Sequence, residues 1–260
     1  MNTENMLCCI DAYLSCFCSV EQGKNFVRFR HDELPDMYDH NLIVFQSGLD
    51  LNSCEIILRG EIENRKAQGH NFCMAQLMPS PDQDLSNLDL PMKPSVSRYI
   101  IFTSHEPENL HLDGRKDCII RKVTTPEIAR DNIMVGNSLY DEETAAEFGQ
   151  RKGKRLSQVY LQPGGVDSFV CYHEEEPVGR ADLLVYKDWA MIEYLVTLPS
   201  KQRQGFGTAI LRDLISEAVK RGAQNILLVA DADDTPREMY QKLGFQENTG
   251  RTSLFFQWEN

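Results

Sequence analysis

The stretch Gln202-Arg203-Gln204-Gly205-Phe206-Gly207-Thr208 holds the residue types and spacing in this sequence best suited to chemistry. An apolar run, Ile192 to Leu198, precedes it, and an amphipathic segment, Ala209 to Arg221, follows. The order therefore reads strand, glycine turn, helix. The first N–H groups of a helix have no intrahelical partner, and the helix dipole adds partial positive charge there. Such an end binds anions, phosphate above all. Glycines matter because side chains there would hold a phosphate away from the backbone. The turn predicts a pyrophosphate-bearing cofactor near residue 205.

Two phosphate motifs do not fit. A P-loop needs a lysine after its last glycine, and Thr208 stands there. A dinucleotide fingerprint needs a third glycine where Ile210 stands, and an acidic ribose ligand about 20 residues on, where Gln224 and Asn225 stand.

The elements that position the turn follow from periodicity. Cys118 to Val123 reads as a strand, Thr124-Thr125-Pro126-Glu127 opens a helix, and Tyr140 to Lys152 is a second helix. Ser168 to Tyr172 and Val178 to Tyr186 read as a hairpin, and Met191 to Leu198 as the strand feeding the turn. The next helix carries Ile210, Leu211, Leu214, Ile215, Ala218 and Val219 on one stripe and stops at Gly222. Asn225 to Ala230 is a buried strand. Thr235 and Glu238 form a capping box for a helix ending at Gly244, and Phe245 onward reads as a hairpin turning near Asn248-Thr249-Gly250.

Gln202-x-x-Gly205-x-Gly207, the buried strand, and then Tyr240-Gln241-Lys242-Leu243-Gly244-Phe245 occur in one fixed order. Here the chain resembles the GCN5-related N-acetyltransferase family over roughly 117–257. The resemblance implies an α/β (α+β) fold with a mixed, mostly antiparallel sheet flanked by helices, and an acyltransferase that uses acetyl-CoA. It implies that backbone groups of Leu195, Val196 and Thr197 hold the pantetheine arm. Gln202 belongs to the matched signature, and the amides from Arg203 through Gln204, Gly205, Phe206, Gly207 and Thr208 hold the pyrophosphate. Tyr240 matches the tyrosine that protonates the departing thiolate. Asp233 stands where many members carry a cofactor-binding asparagine, a departure from the pattern. The acceptor implied is an amine on a small molecule or peptide. It attacks directly, because no cysteine falls in the matched motifs.

An amine must be neutral to attack a thioester, so a base or a water relay is needed. Glu193, on the strand feeding the turn between apolar alternation partners, is the leading candidate, and burial would raise its pKa toward useful values. Asp231, at the end of the next strand, is the rival.

The chain has 260 residues, enough for one large or two modest domains. A boundary is expected in the polar stretch His105 to Lys116, giving 1–116 and 117–260. The first part is read as a helical lead-in to Gly23, after which 24–116 offers strands and one helix: strands at Phe26–Phe29 and Asn41–Gln46, a helix at Glu55–Lys66 and strands at Phe72–Met78 and Ser97–Thr103. A degenerate partial copy of the same fold is plausible there, serving to complete the sheet, shape the acceptor cleft or mediate a homodimer. The net charge of −12 argues against nucleic-acid binding. The eight cysteines contain no Cys-x-x-Cys pair, and the histidines show no metal spacing, so free thiols, no metal and a reducing compartment are expected. No segment is apolar over the length needed to span a membrane, and the cytoplasm is the expected location.

Overall fold

The computed structural model describes residues 3–46, 50–81, 85, 88–233 and 236–259. Two compact units emerge, and they interleave along the chain. One comprises Met1–Phe17, Thr103–Leu228 and Met239–Gln246; the other comprises Cys18–Phe102, Val229–Glu238 and Glu247–Asn260. A single cut at residue 116 does not reproduce this division. The N-terminal helix packs with the unit that carries the glycine turn, and the last strand pairs inside the other.

In the first unit, α1 (Thr3–Ser15) is followed after a long excursion by β6 (Ile119–Lys122) and α3 (Pro126–Asn137). Thr125 caps α3, its hydroxyl accepting from the Ile128 N–H. A short turn α4 (Glu142–Thr144), a π-helical turn over Ala145–Gly149, and α5 (Gln150–Tyr160) follow. Then come β7 (Asp167–His173), β8 (Glu176–Tyr186), β9 (Trp189–Thr197), α6 (Phe206–Lys220) and β10 (Asn225–Asp231). Strands β6 to β9 form an antiparallel meander, and β10 joins β9 in parallel across α6. The β7–β8 loop is two residues, Glu174 and Glu175, both at positive φ as a type I′ turn requires. The predicted Glu174 to Pro177 turn is thus tighter than expected, and Glu176 already pairs with His173.

The second unit opens with β1 (Ser19–Gly23), β2 (Phe26–Arg30) and β3 (Leu42–Phe45), then α2 (Leu51–Ala67) and β4 (Phe72–Leu77). The expected helical lead-in to Gly23 is corrected here. The helix ends at Ser15, and Ser19–Gly23 pairs antiparallel with Phe26–Arg30 around Asn25, whose φ is 68°. β3 and β4 run parallel across α2, and β5 (Ser95–Ser104) and β11 (Gln246–Gln257) complete the run of strands. Ile43, Leu58, Ile62, Ala75, Leu254 and Phe256 form its core, each fully or almost fully buried.

β11 is one twelve-residue strand, which corrects the expected C-terminal hairpin at Asn248-Thr249-Gly250. Gly250 serves close approach rather than a turn. Its carbonyl accepts from the Ser80 N–H at 2.8 Å, and a Cβ there would meet the Ser80 Oγ at 2.7 Å. The helix α7 (Pro236–Leu243) precedes it; Thr235, the predicted cap, lies outside the described residues. No helix among the described residues is long and apolar enough to cross a membrane.

Candidate active site

The glycine turn forms as its sequence requires. Pro199–Lys201 makes one 3₁₀ turn after β9, and α6 then starts at Phe206 with Gly205 as its N-cap. Gly205 sits at φ 86°, ψ 2°, the left-handed region that costs other residues strain. Gly205 has no side chain with which to cap this end, so the N-cap residue leaves the first-turn amides of α6 their donors. At Gly207 the nearest atom to an added Cβ would be the Thr197 Oγ1 at 3.8 Å, an ordinary van der Waals contact with no clash. Gln202 and Gln204 are exposed, and their side chains reach back to the carbonyls of Thr197 (3.4 Å) and Ser200 (3.0 Å). Arg203 is exposed at φ 55°, Phe206 is buried, and Thr208 is half-buried.

The strand feeding the turn departs from regular pairing at one place. Across β8–β9, Arg180 faces Val196 and Asp182 faces Glu193, so Tyr194 and Leu195 together oppose Ala181. This is a β-bulge, with Tyr194 at φ 49°. Parallel pairing with β10 runs over Trp189 to Ile192 on β9. At the far end of β9, where the chain runs into the glycine turn, the Leu198 N–H bonds the Val178 carbonyl on the β8 side.

The bulge rests on a buried carboxylate that the sequence reading did not single out. Asp182 is fully buried and accepts four hydrogen bonds: from the Tyr13 (2.9 Å) and Tyr160 (2.7 Å) hydroxyls on Oδ2, and from Ser168 Oγ (2.6 Å) and Arg180 Nη2 (2.5 Å) on Oδ1. Asn132 Nδ2 donates to Ser168 Oγ. Burial, and then the Asp182 charge, push the Tyr13 and Tyr160 hydroxyls well above their ordinary range, so both stay protonated donors. Burial lowers the Arg180 pKa, but the Asp182 charge together with Tyr160 and Tyr13 outweighs it and holds that guanidinium cationic. Directly opposed residues of an antiparallel pair share a face. Glu193 therefore lies on the Asp182 face, and its charge contributes to raising Tyr13. The signal available in sequence was two opposite charges, Arg180 and Asp182, spaced two apart in an otherwise apolar strand.

Tyr240 is 5% exposed on α7, and its ring meets Phe245 edge-on at 6.0 Å. The segment His111–Arg115 ties its helix to the glycine turn. The His111 N–H bonds the Leu243 carbonyl at the end of α7, and the Arg115 N–H bonds the Gly205 carbonyl at the start of α6. Four residues of chain reach at most about 14 Å, so the two helix ends are close. Asp231 ends β10, and its Oδ1 accepts the Asp233 N–H at 2.9 Å; Asp233 is exposed. Among the described residues no group of three or more His, Cys, Asp or Glu could hold a metal.

Residues 136–245 match the model of the acetyltransferase (GNAT) family. This segment is a GNAT-family domain. It spans the bulged strand, the glycine turn and the Tyr240 helix. A curated relative, the uncharacterized N-acetyltransferase CgeE of Bacillus subtilis, is 29% identical over 120 residues, 44% of this chain and 45% of that protein, so the match spans under half of the relative's length. Two solved structures share the fold over nearly the whole chain. A functionally unknown conserved protein from Staphylococcus epidermidis has a TM-score of 0.77 at 15% identity, covering 95% of this chain and 96% of the other. A GCN5-related N-acetyltransferase from Kribbella flavida has a TM-score of 0.71 at 17% identity, covering 96% and 93%. The expected fold, a mixed and mostly antiparallel sheet flanked by helices, is the one observed.

Proposed function

We propose that this protein transfers an acetyl group from acetyl-CoA to a primary amine of a small molecule or peptide, by direct attack within a ternary complex. The start of α6 carries the reading. A left-handed Gly205 with no side chain to cap the helix, and a second glycine at 207 whose backbone carries no Cβ, suit a pyrophosphate. The adjoining end of β9, bulged at Tyr194 and Leu195, offers backbone groups to an amide-bearing pantetheine arm. Acetyl-CoA, when bound, supplies the activated thioester.

The chain's residues supply binding and proton transfer. Leu195, Val196 and Thr197 offer backbone groups along the arm. Glu193 is assigned as base on its place in the strand that feeds the glycine turn, between apolar alternation partners. Asp231 is the weaker candidate, since one of its oxygens is already held by the Asp233 amide. Tyr240 is assigned as the acid that returns a proton to sulfur. Asp233 contributes little to the cradle, because a carboxylate repels a pyrophosphate. The second unit reads as a partial copy with its cradle closed. Its β3–α2–β4 repeats the parallel strand–helix–strand plan of β9–α6–β10, but the Asp50 carboxylate accepts the Ser53 N–H at 2.9 Å and fills the anion position. All eight cysteines are free thiols, which suits a reducing compartment such as the cytoplasm.

The test is release of CoA thiol from acetyl-CoA with a panel of amines. Turnover is expected with at least one of them. Glu193→Gln should lower kcat and remove the rising limb of its pH profile. CoA binding without turnover on any amine would instead favour a catalytically silent CoA-binding module.

A further inference from the structure

The second unit holds a cavity of about 550 Å³ at the C-terminal end of α2, in the size range of small-ligand pockets. Its lining is rich in cations: Arg28 and Arg30 from β2, and Arg65 from the last turn of α2. Arg28 and Arg30 both pair with the buried Glu61. Arg65 is different. It is 1% exposed, and no carboxylate pairs with it among the described residues. Its Nε donates to the Phe72 carbonyl at 3.1 Å and its guanidinium lies over the Phe72 ring, but its Nη2 has no acceptor. Capping α2 does not explain it. The carbonyls of Asn64, Arg65 and Lys66 are already bonded by the N–H groups of Gln68, His70 and Gly69. A buried donor left unmet is costly, and a buried cation without a counterion more so.

We infer that this cavity binds a small oxyanion, a carboxylate- or phosphate-bearing metabolite, with Arg65 as its principal charge partner. It is a separate site from the cofactor cradle and from any relic of one. Such a relic would lie at the N-terminus of α2, where Asp50 sits, and fifteen residues of helix separate that end from Arg65 by about 22 Å. Glu21 and Asp32 stand exposed at the rim and would reject polyanions, which limits the ligand to one or two charges. His70 lines the same cavity and reports on it. Burial first, then Arg65 and Arg30, push its pKa down, with Glu61 opposing. A bound anion would offset those two arginines and push it back up.

NMR titration of the His70 imidazole in the full-length protein tests this, with inorganic phosphate and succinate each compared against sodium chloride at matched ionic strength. At least one oxyanion should raise the His70 pKa and saturate, and which one does so identifies the ligand as phosphate or carboxylate. Arg65→Met should weaken that binding about ten-fold or more, as expected for one charge-assisted hydrogen bond. Arg65→Lys should retain part of it, and Arg130→Met, in the other unit, should change nothing. If neither oxyanion moves His70 in the wild-type protein, the inference is overturned, whatever the variants do. Equal binding by a folded Arg65→Met would overturn it too. Acetyl transfer does not enter the readout, so the outcome is independent of the proposed activity.

Discussion

Two glycines two residues apart should respond oppositely to alanine, and the contrast tests the cradle. Gly205 stands at φ 86°, and an added Cβ would lie 3.3 Å from both the Arg115 backbone nitrogen and its Cγ. A left-handed conformation costs an L-residue about 1–2 kcal/mol. The tight contact with Arg115 adds to this, because its N–H is bonded to the Gly205 carbonyl and cannot retreat freely. Gly205→Ala should therefore lose about 2 kcal/mol, a fall in Tm of about 4–8 °C for a chain of this size. Gly207 lies inside α6, and an added Cβ would meet nothing closer than 3.8 Å. Alanine there should gain about 0.5–1 kcal/mol from helix propensity. Yet its methyl would stand where a pyrophosphate must approach the backbone. The expected result for Gly207→Ala is an unchanged or raised Tm with CoA affinity reduced about ten-fold or more, taking roughly 1.4 kcal/mol as the loss per tenfold. Thermal unfolding and calorimetric titration with CoA measure both quantities on the same sample. A Gly207→Ala protein that binds CoA as tightly as the wild type would refute the cradle; a stabilised Gly205→Ala would refute the conformational argument.

Tyr240→Phe should lower kcat far more than it weakens CoA binding, read by steady-state kinetics beside calorimetry; an unchanged kcat would remove the tyrosine from the mechanism. Asp182→Ala strips a buried carboxylate from Arg180 and from three hydroxyl donors, and should destabilise by about 3–5 kcal/mol in chemical denaturation. Tyr13→Phe removes one of those hydrogen bonds and should cost about 1–2 kcal/mol. Burial pushes the thiols of Cys9, Cys18, Cys54 and Cys73 up to about 12. The unfolded chain loses those protons first, so their stabilising contribution is complete below about pH 8.5 and falls as pH rises toward 12. Denaturation midpoints measured from pH 8 to 11 should decline, and alkylation at pH 8 with mass analysis should leave these four cysteines unmodified in the native protein.

The glycine turn was legible because its parts are local. A left-handed cap needs glycine, the following helix writes its stripe every three or four residues, and a buried parallel strand reads as an apolar run. The two misread segments failed for non-local reasons. Ser19–Gly23 has no apolar face of its own, and it is a strand because β2 lies beside it. Gly250 looks like a turn residue, but it is small because Ser80 crosses there. Spacing points only to the Arg180–Asp182 pair at the Asp182 site. The hydroxyl donors come from positions 13, 160 and 168, and only folding assembles them.

The sequence by itself determined where a helix N-terminus would be left open to an anion, and which strand and tyrosine accompany it. Glycine conformations, caps and periodicity are properties of neighbouring residues, so they survive in one dimension. The tertiary structure decided the bulge at Tyr194–Leu195 and the joining of α1, through Tyr13, to the unit that carries the glycine turn. It also decided that Arg65 would be buried with its Nη2 unmet and no direct ion pair among the described residues. Each of these depends on which distant segments come to lie side by side. A buried charge or a broken register has meaning only once those neighbours are in place.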